Sequence, residues 1–203
     1  MEWLAWTVLV LGGLNLLNKR VQRARIVWLA QHLSRHPVDK ALERLVRETM
    51  TGLNHSDEDK RAHHWRCASQ ACDDLVVALQ RALDDMGQGF APMARGSRLA
   101  VALPYAEQWL PGMAFDVRRL LAVHVQGLAR MQTEEAANEP KTQAFMRLAE
   151  AMLLQHSCHW YCRSKTVASA RLLAQHQTRY EQVLESVHPA THTAYHKALH
   201  QIA

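Results

Sequence analysis

Two groups of histidine and cysteine residues have spacings that could bind a metal ion. In the first group Cys158 and Cys162 lie four residues apart and His159 lies between them, so a helix would place all three side chains close together. Thiolate and imidazole groups are ligands of zinc, copper and haem iron in proteins. A further ligand could come from His63 or Cys67, which share a helical face. The sequence therefore permits a zinc or haem site between two facing helices.

The second group lies near the carboxyl end of the chain. His192, His196 and His200 follow one another at intervals of four, and neighbouring imidazoles at this spacing can chelate one divalent ion. No acidic residue follows Pro189 and the chain contains no HExxH motif, so the ligand set stays incomplete. The alternative for both groups is structural, since cysteine and histidine are common in the seams between packed helices.

The motifs of common catalytic sites are missing from the chain. It has no GxSxG nucleophile elbow and no GxxxxGK[ST] phosphate loop. A di-iron carboxylate bundle needs two ExxH motifs, and only the one from Glu185 to His188 is present. The sequence thus favours a protein without enzymatic activity, although it leaves the question open.

The positive charge is concentrated in one part of the chain. The 203 residues carry a net charge of +5, and eight basic residues against two acidic ones lie between Lys19 and Arg47. The rest of the chain has 16 basic and 17 acidic residues. A nucleic-acid-binding surface needs basic residues spread over one face of a domain. We therefore expect no nucleic-acid partner.

An uncharged apolar segment over residues 3–18 directly precedes this basic block. As a helix it would be about 24 Å long, somewhat short of the roughly 30 Å hydrocarbon core of a bilayer. Flanking aromatic and basic residues can adapt such a helix to a membrane, and the basic flank predicts an N-terminus outside and the bulk of the chain in the cytoplasm. We predict a single-pass anchor; an interfacial helix and a buried bundle helix are the alternatives. The residues expected to form the anchor are Trp3, Trp6, Leu9, Leu11, Lys19 and Arg20.

The remaining sequence has helical periodicity. Seven of the 14 Gly and Pro residues lie between positions 87 and 112, so the other segments are almost free of helix breakers. From Pro140 to Val187 an uninterrupted pattern predicts one very long helix, with a bend between His156 and Lys165 as the alternative, although no glycine or proline requires one. No segment of useful length alternates with period two, so strands are not predicted. The expected fold class is all-α: a helical bundle with one very long helix, preceded by a single N-terminal membrane-anchor helix.

Three regions follow from these patterns. They are an anchor over residues 1–18, basic juxtamembrane helices over 19–53, and a cytoplasmic α-helical bundle over 54–203 with an irregular segment at 87–112. Long irregular segments often carry function, so this one is a candidate docking surface. The leading prediction is a membrane-anchored assembly or docking subunit of a membrane-associated complex, with a protein partner or a homo-oligomer formed through helical surfaces. The alternative is a metal- or haem-binding sensor or carrier.

Overall fold

The computed structural model describes residues 2–89, 91–133 and 139–200. Within these ranges the chain forms nine α-helices and one small antiparallel sheet, which confirms the all-α helical bundle. The strands are β1 (Arg95–Ser97) and β2 (Ala114–Asp116), and two 3₁₀ turns lie at Pro92–Ala94 and Pro111–Met113. The helices are α1 (Glu2–Leu33), α2 (Val38–Asn54), α3 (Glu58–Met86), α4 (Ala106–Trp109), α5 (Val117–Thr133), α6 (Pro140–Cys162), α7 (Lys165–His176), α8 (Tyr180–Ser186) and α9 (Pro189–His200).

Local sequence signals explain the bounds of α3. The Asp57 carboxylate accepts a hydrogen bond from the Lys60 backbone N–H at 3.1 Å, which caps the first turn. Glu58 and Asp59 follow in that turn, where the helix dipole favours negative charge. Gly87 ends the helix with φ 67°, a conformation that suits glycine. Both ends of this helix are therefore determined locally.

The prediction of one very long helix over residues 140–187 is wrong. The segment divides into α6, α7 and α8. The Ser164 hydroxyl accepts a hydrogen bond from the Val167 N–H at 3.3 Å and starts α7, while Gln177 ends α7 in the left-handed conformation with φ 52°. Neither break uses glycine or proline. A serine cap and a strained glutamine are weak signals in a helical sequence, so periodicity alone did not reveal them.

The prediction of a membrane-spanning anchor over residues 1–18 is also wrong. Within the described ranges, no helix combines the length and the apolar character that crossing a bilayer requires. The apolar part of α1 ends at Asn18, and four Lys or Arg side chains occupy the next seven positions of the same helix. The predicted topology loses its basis with the anchor. The residues assigned to the anchor, which are Trp3, Trp6, Leu9, Leu11, Lys19 and Arg20, belong to α1.

A single apolar core joins most of the helices. Most of the large, fully buried side chains lie on α3, α5 and α6, and α6 packs against α1, α2, α5, α7 and α8. Leu29 and Leu33 of α1 and Leu45 of α2 belong to the same core. The carboxyl-terminal half of α1 is therefore part of the bundle, and the segment before Asn18 extends away from it.

The two short strands were not predicted from the sequence. They pair with Arg95 opposite Asp116 and Gly96 opposite Phe115. A Cβ atom at Gly96 would lie 2.7 Å from the Phe115 ring, so the close approach of the two strands requires glycine. Three-residue strands are too short to show a period of two, and the contacts that hold the pair in place, such as that of Gly96 with Phe115 and the hydrogen bond from Trp160 to the Ser97 carbonyl, come from distant parts of the chain.

Candidate functional site

Cys158 and Cys162 lie on the last turns of α6, partly buried against the core. Burial raises the pKa of the Cys158 thiol well above its usual range and that of Cys162 to about 11, so both thiols stay protonated. Burial also lowers the pKa of His159. Asp39, at the amino end of α2, contributes to the Cys158 shift. Protonated thiols are poor metal ligands, which favours a structural role for this pair.

His63 and Cys67 belong to α3 and lie beside the carboxyl end of α2, whereas Asp39 lies at the amino end of α2. Their Nε2 and Sγ atoms are 3.6 Å apart, and the neighbouring His64 contacts Glu48 of α2 at 2.9 Å. Glu48 lies nine residues beyond Asp39, which is about 14 Å along the helix axis. The structure therefore does not bring His63 and Cys67 together with the cysteine pair of α6.

The three carboxyl-terminal histidines are divided between two surroundings. His192 and His196 lie with their ring centroids 4.6 Å apart, whereas the Nδ1 atom of His200 accepts a hydrogen bond from Arg98. Over the described part of the chain, no group of three or more His, Cys, Asp or Glu side chains has the arrangement of a metal site. A zinc site with three or more protein ligands is therefore not present among the described residues, and the haem alternative stays a prediction.

The most unusual surface is the amino-terminal half of α1. We call residues 3–17 the N-terminal arm. Its side chains are exposed on every side of the helix, and ten large apolar ones have exposed fractions between 43% and 87%. Those ten are Trp3, Leu4, Trp6, Val8, Leu9, Val10, Leu11, Leu14, Leu16 and Leu17. Monomeric proteins rarely expose so much contiguous apolar surface unless it is an interaction site.

A second apolar surface lies beside the base of the N-terminal arm, within the irregular segment predicted to be a docking surface. Trp109 is its most prominent member, with 78% of its surface exposed. We call this surface the loop patch. Its members are Val101, Leu103, Tyr105, Trp109, Leu110 and Met113, all at least 36% exposed. Phe115, by contrast, is buried in the core.

Three polar contacts fix the base of the arm to the bundle. The Asn18 amide donates to the carbonyl of Ala102 at 3.2 Å, directly between two members of the loop patch. Arg163 donates to Gln22 at 2.8 Å. One turn further, the Arg25 guanidinium and the Glu107 carboxylate form a buried ion pair at 2.5 Å. The arm and the loop patch are therefore held in a defined relative position.

Arg118 stabilises the start of the irregular segment. Its guanidinium contacts both carboxylate oxygens of Asp116, the shortest contact being 2.6 Å, and donates to the carbonyls of Gly87 and Gly89 at 2.8 Å each. The pairing with Asp116 raises the pKa of Arg118. One side chain thus joins the carboxyl end of α3, the glycine loop and the start of α5.

We expect Arg118→Lys to lower the free energy of unfolding by about 2–3 kcal/mol. A lysine keeps the charge, but it cannot contact both carboxylate oxygens and two carbonyls in the plane of a guanidinium. Urea denaturation monitored by circular dichroism would measure the change. The control is Arg171→Lys on the exposed side of α7. Equal stability of both variants would contradict the role assigned to Arg118.

A chain of buried polar groups crosses the core between α5, α6 and α9. His124 Nε2 lies 2.9 Å from the Ser157 hydroxyl, which lies 3.3 Å from the Tyr195 hydroxyl. His156 stacks on Tyr180 with ring centroids 4.3 Å apart. Burial lowers the pKa of both histidines to about 3. A serine and a histidine in contact can form a nucleophile, but these two side chains are fully enclosed and no substrate reaches them.

Glu150 of α6 is a second buried ionisable group. Its carboxylate accepts a hydrogen bond from the His188 N–H at 3.2 Å, at the start of α9. Burial raises the pKa of Glu150 to about 7. A Cβ atom at Gly127 would lie 2.7 Å from both the Glu150 carboxylate and the Thr191 hydroxyl. The lack of a side chain at Gly127 therefore leaves room for these two groups. The hydrophobic periodicity of the sequence predicted neither the buried polar chain around His124 nor the buried carboxylate of Glu150.

Comparison with known proteins adds no function to this description. No protein-family model matches the chain, and neither a curated protein nor a solved structure is significantly similar to it. The chain is shown to be an all-α helical bundle, and its function has to be inferred from its own residues.

Proposed function

We propose that this chain is a helical assembly protein that forms a dimer through its N-terminal arm, with a second copy of the chain as the partner. The observation that carries the proposal is the exposure of ten large apolar side chains on all sides of one helix. A helix that is apolar all round is normally covered by other helices. The part of the bundle that the structure describes leaves the arm uncovered, which supports a cover supplied by a second copy.

Charge favours an antiparallel arrangement of two arms. The arm itself has no charged residue, and Lys19, Arg20 and Arg23 follow it directly. Two parallel arms would bring these basic residues side by side, where like charges repel. Antiparallel arms separate them by the length of the apolar segment, about 24 Å for 16 residues at 1.5 Å each.

The loop patch gives the ends of the antiparallel arms a place to pack. In this arrangement Trp3 and Trp6 of each copy reach the base of the other arm. Val101 and Leu103 lie at that base, beside the contact between Asn18 and Ala102. The same contact then forms twice, as a two-fold symmetric dimer requires.

The apolar surface is large enough to hold two copies together. Fully burying one large apolar side chain contributes about 1.5–3 kcal/mol. Ten such side chains lie on each arm, so covering even one side of two arms removes several of them from water. This burial opposes the loss of freedom of movement that association costs.

We expect the full chain to be a dimer in detergent-free buffer and the double variant Leu9→Lys/Leu11→Lys to be a monomer. The two positions lie about 200° apart around the helix, so a pairing of the arms through either of these two faces buries a new charge. Both side chains are more than 60% exposed, so the bundle should fold unchanged. Size-exclusion chromatography with light scattering measures the mass.

The matched control is Phe145→Lys, which places the same charge on an exposed apolar position of α6 and should leave the dimer intact. A monomeric wild-type chain, or a double variant that is still dimeric, would overturn the proposal. The antiparallel arrangement has a separate test in the variants Trp6→Ala and Leu103→Ala. A double-mutant cycle on dimer dissociation should give a coupling of about 0.5–3 kcal/mol between them. Zero coupling would rule out that arrangement.

A further inference from the structure

The Glu150 carboxyl group lies where the middle of α6 meets the start of α9, and the residue is fully buried. One oxygen accepts the hydrogen bond from the His188 backbone N–H, and Oε2 has no hydrogen-bond partner among the groups that the structure describes. Thr191, in the first turn of α9, lies beside Oε2 on the side where Gly127 of α5 leaves space. The carboxyl group therefore faces the first turn of α9 with both oxygens.

No ion pair neutralises Glu150 within the part of the chain that the structure describes. The ionisable side chains nearest to it are Arg130 of α5, Arg147 of α6 and Cys72 of α3. Both arginines have interactions of their own. Burial raises the pKa of the Cys72 thiol to about 11, so this thiol stays neutral. An enclosed charge without a paired countercharge is unfavourable, so the surroundings favour the neutral form of the Glu150 carboxyl group.

These surroundings bring the titration of Glu150 close to neutral pH. Burial raises its pKa to about 7, and smaller contributions from Thr191, the His188 N–H and Arg130 oppose this rise. In an opened or unfolded segment a glutamate titrates near pH 4.3, about its ordinary value. The closed form therefore binds the proton more strongly than the open form does. Its advantage is lost progressively as the pH rises from about 4.3 to about 7.

The helix that Glu150 contacts is short and covers polar groups of the core. Its buried residues are Thr191, Tyr195, Ala198 and Leu199. Segments with few buried side chains open more readily than the centre of a bundle does. Tyr195 lies beside His124 with ring centroids 5.8 Å apart, so opening of α9 gives water access to the buried polar chain between α5 and α6.

We propose that Glu150 is a pH-sensitive latch for α9. The protonated carboxyl group holds the first turn of α9 against α5 and α6. Once the carboxyl group loses its proton, the unpaired negative charge favours contact with water, and α9 opens more often. The latch does not involve the N-terminal arm or the loop patch, so it is independent of the proposed dimer.

Hydrogen–deuterium exchange of the full chain at about pH 5.5 and about pH 8 tests the latch, after correction for the intrinsic exchange rate at each pH. The variant Glu150→Gln keeps the shape of a neutral carboxyl group and its ability to donate and accept hydrogen bonds, but it cannot ionise. We expect the protection of α9 in the wild type, relative to this variant, to fall roughly tenfold or more between the two pH values. His124 and the histidines of α9 titrate in both proteins, so their effects cancel in the comparison.

The matched control is Glu185→Gln, the same substitution at an exposed position of α8, which should show the pH dependence of the wild type. Circular dichroism melting curves establish that each variant is folded. The same change of α9 protection in the wild type and in folded Glu150→Gln would overturn the proposal. So would equal protection of α9 and α3 at about pH 8, since α9 would then open only together with the whole bundle.

Infrared titration of the wild type is a second test that needs no variant. A protonated carboxyl group and a carboxylate absorb at different frequencies, and exposed Asp and Glu side chains lose their protons near pH 4, about their ordinary value. We expect a carboxylic acid band that disappears as the pH rises through about 7. A wild-type chain without such a band at about pH 6 would contradict the latch, even if Glu150→Gln failed to fold.

Discussion

Acidification from pH 6.5 towards pH 3 is expected to destabilise the folded chain by several kcal/mol. Burial lowers the pKa of His124 to about 3, with a smaller contribution from His156. Burial also lowers the pKa of His156 to about 3, with smaller contributions from Lys165 and His159. In the unfolded chain an imidazole titrates near pH 6.5. Below that pH the unfolded state binds more protons than the folded state, so stability is lost as the pH falls.

The loss of folding stability on acidification has an approximate upper limit. Each histidine contributes at most about 1.4 kcal/mol per pH unit while only its unfolded form is protonated. Between pH 6.5 and pH 5 the two histidines together therefore cost up to about 4 kcal/mol, which is a large fraction of the 5–15 kcal/mol by which domains are typically stable. Glu150 offsets part of this loss, because its raised pKa lets the folded state bind a proton in the same pH range before the unfolded state does.

Urea denaturation at pH 7 and pH 5 measures this effect. The double variant His124→Gln/His156→Gln keeps a hydrogen-bonding group at both positions but cannot titrate, so its loss of stability between these pH values should be smaller by several kcal/mol. His63→Gln, at an exposed position of α3, serves as the control and should behave as the wild type does. The same pH dependence in the double variant and the wild type would show that the buried histidines do not cause the acid sensitivity.

Removal of the Arg25 side chain should have a similarly large effect. Arg25→Ala is expected to lower the free energy of unfolding by about 3–5 kcal/mol, because it leaves the Glu107 carboxylate buried without its partner. Both side chains are less than one-tenth exposed, and the guanidinium also lies 5.9 Å from the centre of the Tyr161 ring. The position of the loop patch relative to the N-terminal arm depends on this ion pair.

Two further variants distinguish an unpaired charge from a simple loss of packing. Arg25→Met/Glu107→Leu replaces both charges by apolar groups and should recover most of the stability, since replacing a buried pair is often neutral. Arg47→Ala removes an arginine that is 58% exposed and pairs with Glu43 and Glu48, so it should cost at most about 1 kcal/mol. Chemical denaturation of the four proteins gives the comparison. An Arg25→Ala cost no larger than that of Arg47→Ala would contradict the assigned role.

Local sequence signals were sufficient wherever a structural choice depended on near neighbours. The end of α1 at Leu33 before Pro37, the Asp57 cap of α3 and its end at Gly87 each follow from residues close by in the chain. The concentration of glycine and proline between 87 and 112 also located the irregular segment. In each case the determining contacts span only a few residues, so the sequence contains the whole signal.

The features that bear on function depended on contacts between distant parts of the chain. Periodicity placed His63 and Cys67 on one helix and Cys158 and Cys162 on another, but it could not show that the two groups lie near opposite ends of α2. It could not show that burial keeps the thiols protonated.

The sequence by itself determined an all-α bundle, its irregular segment and an apolar first helix. Tertiary structure decided which part of that helix joins the core, because the buried pair of Arg25 and Glu107 links residues 82 positions apart. It also brought the buried carboxyl group of Glu150 on α6 to the start of α9. Hydrophobic periodicity records which side of a helix is buried, whereas the identity of the covering surface depends on long-range packing that periodicity does not encode.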